Sequence, residues 1–227
     1  MAAAALLLAH PGVQAGTISK PPTTFIASPN YGNRNGTPID SIVIHTTEVS
    51  LQGTIDIFTN PANQVSAHFV VAPNGDIYQM VDTAKRAWHA TYFNSRSVGI
   101  EMVGYAHQAS TWNRNNLASL VDLLSWILDA NPLIPLTHPG GDAYDYPGDT
   151  YNTPGLVAHG QVQPWNRTDP GPYFPWNDVL AAVDARLNAT PEPTTLLLAA
   201  IGVLGVCRLK RREHATRAPA AQRLTGR

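Results

Sequence analysis

Short β-branched and apolar runs alternate with helical patterns along residues 41–187, and this alternation restricts the possible folds more than any other feature. The apolar runs lie at residues 41–44, 67–71, 77–81, 98–103 and 156–158. The turn sequence Pro73-Asn74-Gly75-Asp76 separates the second run from the third. An Asn-Gly pair between two apolar runs is typical of a β-hairpin, so these two runs are predicted to pair.

Three segments between or after these runs have apolar residues at helical spacing, and they lie at 51–59, 113–131 and 176–187. Proline follows or precedes each of them, as is common at helix ends. Strands that alternate with helices predict an α/β fold in which a single mixed central β-sheet is flanked by helices. Residues 138–155 are rich in turn-forming residues, which favours a solvated loop; a wall of a groove is the alternative.

The formal net charge of −1 is the sum of two opposite parts. Residues 191–227 carry seven basic and two acidic residues, a charge of +5, whereas residues 1–190 carry a charge of −6. Because the body is acidic and the basic cluster directly follows an apolar segment, we expect no nucleic-acid binding. The single cysteine, Cys207, leaves no pair for a disulfide or a thiolate cage, so a bound metal must be held by histidine and carboxylate.

The N-terminal residues 1–15 are predicted to be a signal peptide, or the remaining part of a truncated one. They are largely apolar, and Val13-Gln14-Ala15 forms a small-x-small cleavage pattern before Gly16. The basic residues that usually begin a signal peptide are missing, so an Ala-rich leader is the alternative.

The C-terminal region combines Pro191-Glu192-Pro193, an apolar run at 196–207 and a basic cluster that begins at Arg208. This order resembles the PEP-CTERM sorting tail of Gram-negative bacteria. The resemblance implies that residues 191–212 contact the inner membrane transiently and are cut by an exosortase-type enzyme, and we expect 213–227 to be a basic disordered tail. The apolar run at 196–207 is shorter than the roughly 20 apolar residues of a full membrane span. A plain tail anchor and a buried apolar helix are the alternatives.

Three residues in the body have the chemistry of metal ligands. His45 and His159 directly follow apolar strand runs, and Asp169 lies in a rigid, proline-rich stretch. Two imidazoles and one carboxylate leave a fourth position open, which is typical of a catalytic zinc site. The spacing alone does not show that the three converge, so hydrogen-bonded strand-end histidines are the alternative.

Five motifs occur in order along the body. They are Ile42-Val43-Ile44-His45-Thr46-Thr47, Ser66-Ala67-His68-Phe69, Ala87-Trp88-His89-Ala90, Asn94 with Ser97-Val98-Gly99-Ile100-Glu101, and His159 with Arg167-Thr168-Asp169-Pro170-Gly171-Pro172. In this order they resemble the zinc-dependent N-acetylmuramoyl-L-alanine amidases of the amidase type 2 family, which includes the peptidoglycan recognition proteins. The resemblance implies one Zn²⁺ per chain, held by His45, His159 and Asp169.

The resemblance also implies two catalytic residues, Glu101 and Arg167. Glu101 matches the general base and proton shuttle of the family, and a salt-bridged strand-end glutamate is the alternative. Members without this glutamate commonly carry a tyrosine where this chain has Ala67, so the chain fits the glutamate-bearing branch. Arg167 stands where many members have lysine; an arginine can steady an oxyanion but does not release a proton.

Four residues, His68, Trp88, His89 and Asn94, match positions that line the cleft of the family and are predicted to bind substrate. Alternatives stay open for each. Trp88 is either a surface for a sugar or part of the core. His68 either orients the metal site or satisfies a hydrogen bond within the sheet. His89 and Asn94 are either peptide or lactyl contacts or solvated loop residues.

Together these expectations describe an exported zinc enzyme with its catalytic domain at 16–190. It would hydrolyse the amide between N-acetylmuramic acid and L-alanine in peptidoglycan or muropeptides. We expect a monomer in the periplasm, at the cell surface or outside the cell. A peptidoglycan-binding module without turnover is one alternative, disfavoured by the complete set of ligands, and an amidase for another amide substrate is the second.

Overall fold

The computed structural model describes residues 18–189. The predicted signal peptide at 1–15, the sorting segment at 191–212 and the basic tail at 213–227 lie outside the described residues. Between residues 18 and 189, no helix combines the length and the hydropathy needed to cross a membrane.

The described chain contains eight strands and four α-helices. The strands are β1 (Thr24–Phe25), β2 (Tyr31–Asn33), β3 (Ser41–Thr46), β4 (Phe69–Val71), β5 (Ile77–Gln79), β6 (Lys85–Ala87), β7 (Ser97–Met102) and β8 (Gly155–Ala158). The helices are α1 (Leu51–Thr59), α2 (Arg114–Ala130), α3 (His159–Val162) and α4 (Trp176–Leu187). All five predicted strand runs and all three predicted helices therefore form, with shifts of a few residues at their ends.

Six strands form one mixed sheet in the order β1-β5-β4-β7-β3-β8, and β2 pairs with β6 in a separate antiparallel ribbon. Strand β3 lies next to the edge strand β8 and is parallel to both neighbours, β7 and β8. Its six residues are all buried, as expected for a parallel strand that is covered on both faces. The predicted hairpin of β4 and β5 is antiparallel. The α/β class with a single mixed central sheet is thus confirmed.

Helices α2 and α4 contact each other and contribute to the main core against the sheet. Leu120, Leu124 and Ile127 of α2 pack in this core with Ile42 and Ile44 of β3. All five side chains are at most 1% exposed. Burial of each such side chain contributes about 1.5–3 kcal/mol, so this layer fixes the position of β3 within the sheet.

A second core cluster includes the intervening β3 residue, and part of the long 138–155 loop packs into it. Val43 of β3 and Val157 of β8 pack here with Phe93, Ala143 and Tyr151. Ala143 is fully buried and Tyr151 is 1% exposed. The expectation of a solvated loop is wrong for these two residues, because they cover apolar strand side chains that would otherwise face water.

Candidate metal centre and its cleft

Three parallel strands bring the predicted site residues to one edge of the sheet. His45 near the end of β3 is directly paired in register with Glu101 of β7. Ile44 is paired with Ala158, the last residue of β8, so His159 follows at the same level as His45. The carboxyl ends of neighbouring parallel strands are a common place for binding sites, since the side chains that leave the strands there converge. The topology therefore explains why residues up to 114 positions apart meet.

Asp169 reaches this edge because its segment packs closely against the start of α3. The backbone N–H of Gly160 donates a hydrogen bond to the carbonyl oxygen of Asp169 at 2.9 Å. A Cβ atom at position 160 would lie 3.2 Å from the carbonyl oxygen of Arg167. Glycine at this position lets the two segments approach, and the approach brings the Asp169 carboxylate to the two histidines.

The three predicted ligands converge on one point. His45 Nδ1 lies 2.9 Å from His159 Nδ1, and Asp169 Oδ2 lies 3.3 Å and 3.1 Å from these two atoms. All three residues are buried, with at most 7% exposure. Tetrahedral zinc ligands about 2.0–2.1 Å from the ion lie roughly 3.3 Å from one another, so this donor set and spacing fit a single small cation. Within residues 18–189 this is the one group of at least three such side chains that could hold a metal.

The protonation states of the cluster also suit a cation. Burial, and next the neighbouring His159, lower the pKa of His45 to about 4, and Asp169 only partly opposes this. Burial disfavours the Asp169 carboxylate, but its close contacts with the rings of His159 and His45 outweigh this and hold the pKa of Asp169 below the usual value. A neutral imidazole at position 45 and a carboxylate at position 169 are the forms that bind metal ions.

Glu101 lies beside the cluster with an unsatisfied carboxylate oxygen. Its Oε2 atom is buried and has no hydrogen-bond partner, one of only three such side-chain atoms in the described part of the chain. Burial, reinforced by the charge of Asp169, raises the pKa of Glu101 to about 8. A buried polar atom without a partner is costly and rare in folded proteins. Its position next to the three candidate metal ligands indicates that the missing partner is a bound ion, water or substrate.

A cleft of about 470 Å³ surrounds these residues. Its lining comprises His45, Thr46, Thr47, Glu48, Phe58, Val65, Ser66, Trp88, His89, Glu101, His159, Asn166, Arg167, Thr168 and Asp169. The candidate metal ligands and both predicted catalytic residues are therefore accessible from one cavity. Arg167 is exposed, and its charge acts on Glu101 to lower the pKa of that carboxyl.

The four predicted substrate residues separate into two groups. Trp88 and His89 are partly exposed and line the cleft, whereas His68 and Asn94 are not part of its lining. His68 is fully buried; its Nδ1 accepts a hydrogen bond from the Gly99 N–H at 2.9 Å, and its Nε2 lies 3.0 Å from the carbonyl oxygen of Lys85. The structure places His68 in the sheet hydrogen-bonding role that the sequence left as an alternative.

Asn94 holds the backbone of the loop that carries His89. Its Oδ1 accepts hydrogen bonds from the N–H groups of His89, at 2.9 Å, and Ala90, at 2.6 Å. The imidazole of His89 in turn contacts His45, with His89 Nδ1 at 3.0 Å from His45 Nε2. Neither residue is a solvated loop residue, because His89 contacts the candidate ligand His45 and Asn94 holds the backbone of His89.

Sequence reasoning missed two neighbours of the cluster. Gln163 Oε1 lies 2.8 Å from His159 Nε2, and Gln163 directly follows α3, four residues after His159, a spacing that could have indicated the contact. Glu48 also lines the cleft, and its Oε1 accepts hydrogen bonds from the Thr46 hydroxyl at 2.7 Å and the Ala106 N–H at 2.8 Å. No local pattern marks Glu48, because Ala106 is distant in sequence.

Comparisons with known proteins agree with this geometry. A family model described as N-acetylmuramoyl-L-alanine amidase (Amidase_2) matches residues 35–172, and one described as the PEP-CTERM protein-sorting motif matches residues 189–212. N-acetylmuramoyl-L-alanine amidase A of Achromobacter lyticus is 34% identical over 157 residues, which covers 67% of this chain and 86% of that protein. The 1,6-anhydro-N-acetylmuramyl-L-alanine amidase AmpD of Haemophilus influenzae is 28% identical over 185 residues, covering 70% and 90%.

The fold is similar to that of a solved AmpD structure, a selenomethionine derivative. The TM-score is 0.56 at 24% identity, and the superposition covers 71% of this chain and 94% of that one. At this identity the likeness supports the fold alone. The candidate metal ligands are supported instead by the convergence of the three side chains described above.

Proposed function

Since the chain belongs to the Amidase_2 family of N-acetylmuramoyl-L-alanine amidases, we propose that it uses one zinc ion, held by His45, His159 and Asp169, to cleave its substrate. The scissile bond is the amide between the lactyl group of N-acetylmuramic acid and L-alanine in peptidoglycan or muropeptides. One observation carries the proposal. Three buried ligand atoms converge next to the unpartnered Oε2 atom of Glu101, inside a cleft that is open to substrate.

The donor set of two imidazoles and one carboxylate leaves a coordination position open. When bound there, zinc supplies a Lewis acid that lowers the pKa of water towards about 7 and polarises the carbonyl of the amide. The chain therefore needs no serine or cysteine nucleophile. The three ligands would also hold the ion at a fixed place relative to Glu101, whose strand is directly paired with that of His45.

Glu101 is proposed to move the proton. Its carboxylate takes a proton from the attacking water and gives it to the departing amine nitrogen of L-alanine, a transfer that typically contributes 10²–10⁴-fold to the rate. The raised pKa, about 8, means that the carboxyl holds a proton firmly once it has accepted one. A dication at the neighbouring ligands would favour the ionised form and bring this pKa closer to neutrality.

Arg167 is proposed to stabilise the negative charge that develops on the carbonyl oxygen. Its guanidinium lines the cleft and is exposed, so substrate can reach its N–H donors. Because arginine stays protonated, it can stabilise charge but cannot replace Glu101 as the proton carrier. Trp88, which also lines the cleft, offers an aromatic surface for a sugar or the lactyl group.

The PEP-CTERM motif at 189–212 indicates export and sorting to the cell surface. For this chain we propose that residues 1–15 direct export, that residues 16–190 form the catalytic domain, and that 191–212 contact the inner membrane until an exosortase-type enzyme removes them. The mature enzyme would then act as a monomer in the periplasm, at the surface or outside the cell, without nucleic-acid partners.

The test uses the purified chain, freed of metal with a chelator and then reloaded with zinc. We expect the zinc-loaded protein to release new L-alanine amino termini from purified peptidoglycan, without new reducing sugar ends. Glu101→Gln should bind zinc as tightly as the native chain and lose at least about 100-fold in turnover. Reducing ends instead of amino termini would indicate a glycosidase. Full activity of Glu101→Gln would remove the proton-transfer role from Glu101.

A further inference from the structure

A chain of hydrogen bonds runs from the metal ligand His45 back into the protein. His45 Nε2 lies 3.0 Å from His89 Nδ1, and His89 Nε2 lies 3.3 Å from Ser97 Oγ. The Ser97 hydroxyl lies 2.8 Å from the carbonyl oxygen of Phe93. The chain therefore has four members, and its last one is a backbone carbonyl, which can only accept.

The direction of each hydrogen bond between His45 and Phe93 follows from the terminal acceptor, the carbonyl oxygen of Phe93. Ser97 must donate its single hydroxyl hydrogen to Phe93, so its oxygen can only accept from His89 Nε2–H. A neutral imidazole carries one N–H, which leaves His89 Nδ1 as an acceptor. His45 must then donate from Nε2–H, and its lone pair lies on Nδ1. This is the nitrogen that faces Asp169 and His159.

We propose that His89 is a positioning residue, which together with Ser97 fixes His45 in the Nε2–H tautomer and so directs its lone pair at the metal. The inference rests on the proposed metal site, and it replaces the substrate-binding role expected for His89. Both ring nitrogens of His89 already face protein atoms, at 3.0 Å and 3.3 Å, so neither is directed at a ligand in the cleft. Outer-shell partners of this kind orient metal-binding histidines in many proteins.

The surrounding structure holds the His89 ring in place. Its plane is nearly perpendicular to that of His45, at 88°, with 5.1 Å between ring centroids. Gly99 on β7 makes the necessary room, because a Cβ atom there would lie 2.6 Å from Cγ of His89. From the other side, Asn94 fixes the backbone N–H of His89 at 2.9 Å. The ring can therefore keep its contact with His45 without help from a bound ion.

A single hydrogen bond has the same effect on His159, the second imidazole ligand. The Nε2 atom of His159 lies 2.8 Å from Gln163 Oε1. An amide oxygen accepts only, so His159 also carries its hydrogen on Nε2 and presents Nδ1 to the metal. His89 Nδ1 and Gln163 Oε1 thus favour the Nε2–H tautomer in His45 and His159, respectively. Only the acceptor next to His45 depends on a further residue, because Ser97 sets the tautomer of His89.

Three variants of the full chain test the role of this hydrogen-bond chain, Ser97→Ala, His89→Ala and His89→Asn. The Oδ1 atom of asparagine takes the place of His89 Nδ1 and can accept from His45, so His89→Asn should restore what His89→Ala loses. Ser125→Ala is the matched control, since Ser125 is also fully buried and its hydroxyl also donates to a backbone carbonyl, that of Val121.

Two measurements on each variant distinguish tautomer control from simple packing. Nitrogen-15 shifts of the metal-free protein should show His45 protonated at Nε2 in the native chain, and a mixture of tautomers in Ser97→Ala and His89→Ala. The zinc dissociation constant, from competition with a chelator, should rise about 10–100-fold in these two variants. Ser125→Ala and His89→Asn should stay within about threefold of the native chain, and thermal unfolding checks that the metal-free variants fold.

The inference is overturned if His45 carries its hydrogen on Nδ1 in the native metal-free protein. It is equally overturned if Ser97→Ala and His89→Ala bind zinc like the native chain, or if His89→Asn is as weak as His89→Ala. These results are independent of turnover. A native chain that binds zinc and shows the expected tautomers but cleaves no amide would refute the proposed function and leave the role of His89 intact.

Discussion

Replacing Glu101 with glutamine should make the metal-free protein more stable at pH 8 than the native chain. Burial raises the pKa of this carboxyl in the folded protein to about 8, against 4.5 in an exposed chain. Below pH 4.5 both states hold the proton, so the carboxyl costs nothing. As the pH rises, the unfolded chain ionises first, and the folded state loses stability until the pH reaches about 8.

The size of the effect follows from the two pKa values. At about 1.4 kcal/mol per pKa unit, the difference between 4.5 and about 8 corresponds to an upper limit of ~5 kcal/mol. The residue is partly exposed to the cleft, although its Oε2 atom is buried. Water in the cleft reduces the penalty, and we expect Glu101→Gln to gain on the order of 2–3 kcal/mol at pH 8.

Urea unfolding at pH 4.5, 6 and 8, in the presence of a chelator, measures this difference directly. The advantage of Glu101→Gln should be close to zero at pH 4.5 and grow steadily to pH 8. Asp149→Asn, at an exposed position, is the control and should differ from the native chain by less than about 0.5 kcal/mol throughout. Zinc should reduce the advantage, because a dication favours the ionised glutamate.

A difference that is absent at pH 8, or that does not change with pH, would refute the reasoning. Either result would mean that the Glu101 carboxylate is already satisfied in the folded protein. The unpartnered oxygen would then no longer support a role in proton transfer.

Three further changes, the last of them with a matched control, should have separable effects. Asp169→Asn removes a direct ligand and should weaken zinc binding by more than the roughly 10–100-fold typical of outer-shell changes, as measured by metal content after dialysis; retention of stoichiometric zinc would contradict the assigned ligand set. Arg167→Gln should bind zinc normally and lower kcat about 10²–10³-fold, and an unchanged kcat would exclude a role at the oxyanion. Leu124→Ala, in the core, should lower the free energy of unfolding by about 3 kcal/mol in urea. Leu133→Ala, at a position that is 62% exposed, should change it by less than about 0.5 kcal/mol, and equal losses would contradict the core assignment.

The sequence predicted the central sheet well because its strands are strongly apolar. The run before His45 is β-branched and buried on both faces, and such a run has few other structures open to it. Strands β1, β2 and β6 were not predicted. They are two or three residues long and include exposed polar residues such as Lys85, so no apolar period marks them and their pairing depends on distant partners.

The candidate metal ligands were predicted from strand-end positions and from the resemblance, and the structure brings all three side chains together. The role of His89 was not accessible in the same way. Its motif indicates a cleft position, whereas its function depends on a contact with His45, 44 residues away, and on space left by Gly99. Likewise, the burial of Tyr151 could not be read from a loop sequence that is mostly turn-forming residues.

The most direct test of the account is the hydrolysis of a defined muramyl peptide by the zinc-loaded protein in oxygen-18 water, followed by mass spectrometry. We predict that the peptide leaves with an unlabelled, free L-alanine amino terminus and that the lactyl carboxylate of muramic acid carries one oxygen-18 atom. The metal-free protein and Glu101→Gln should give little product. No cleavage by the zinc-loaded native chain, or cleavage at any bond other than this amide, would contradict the account.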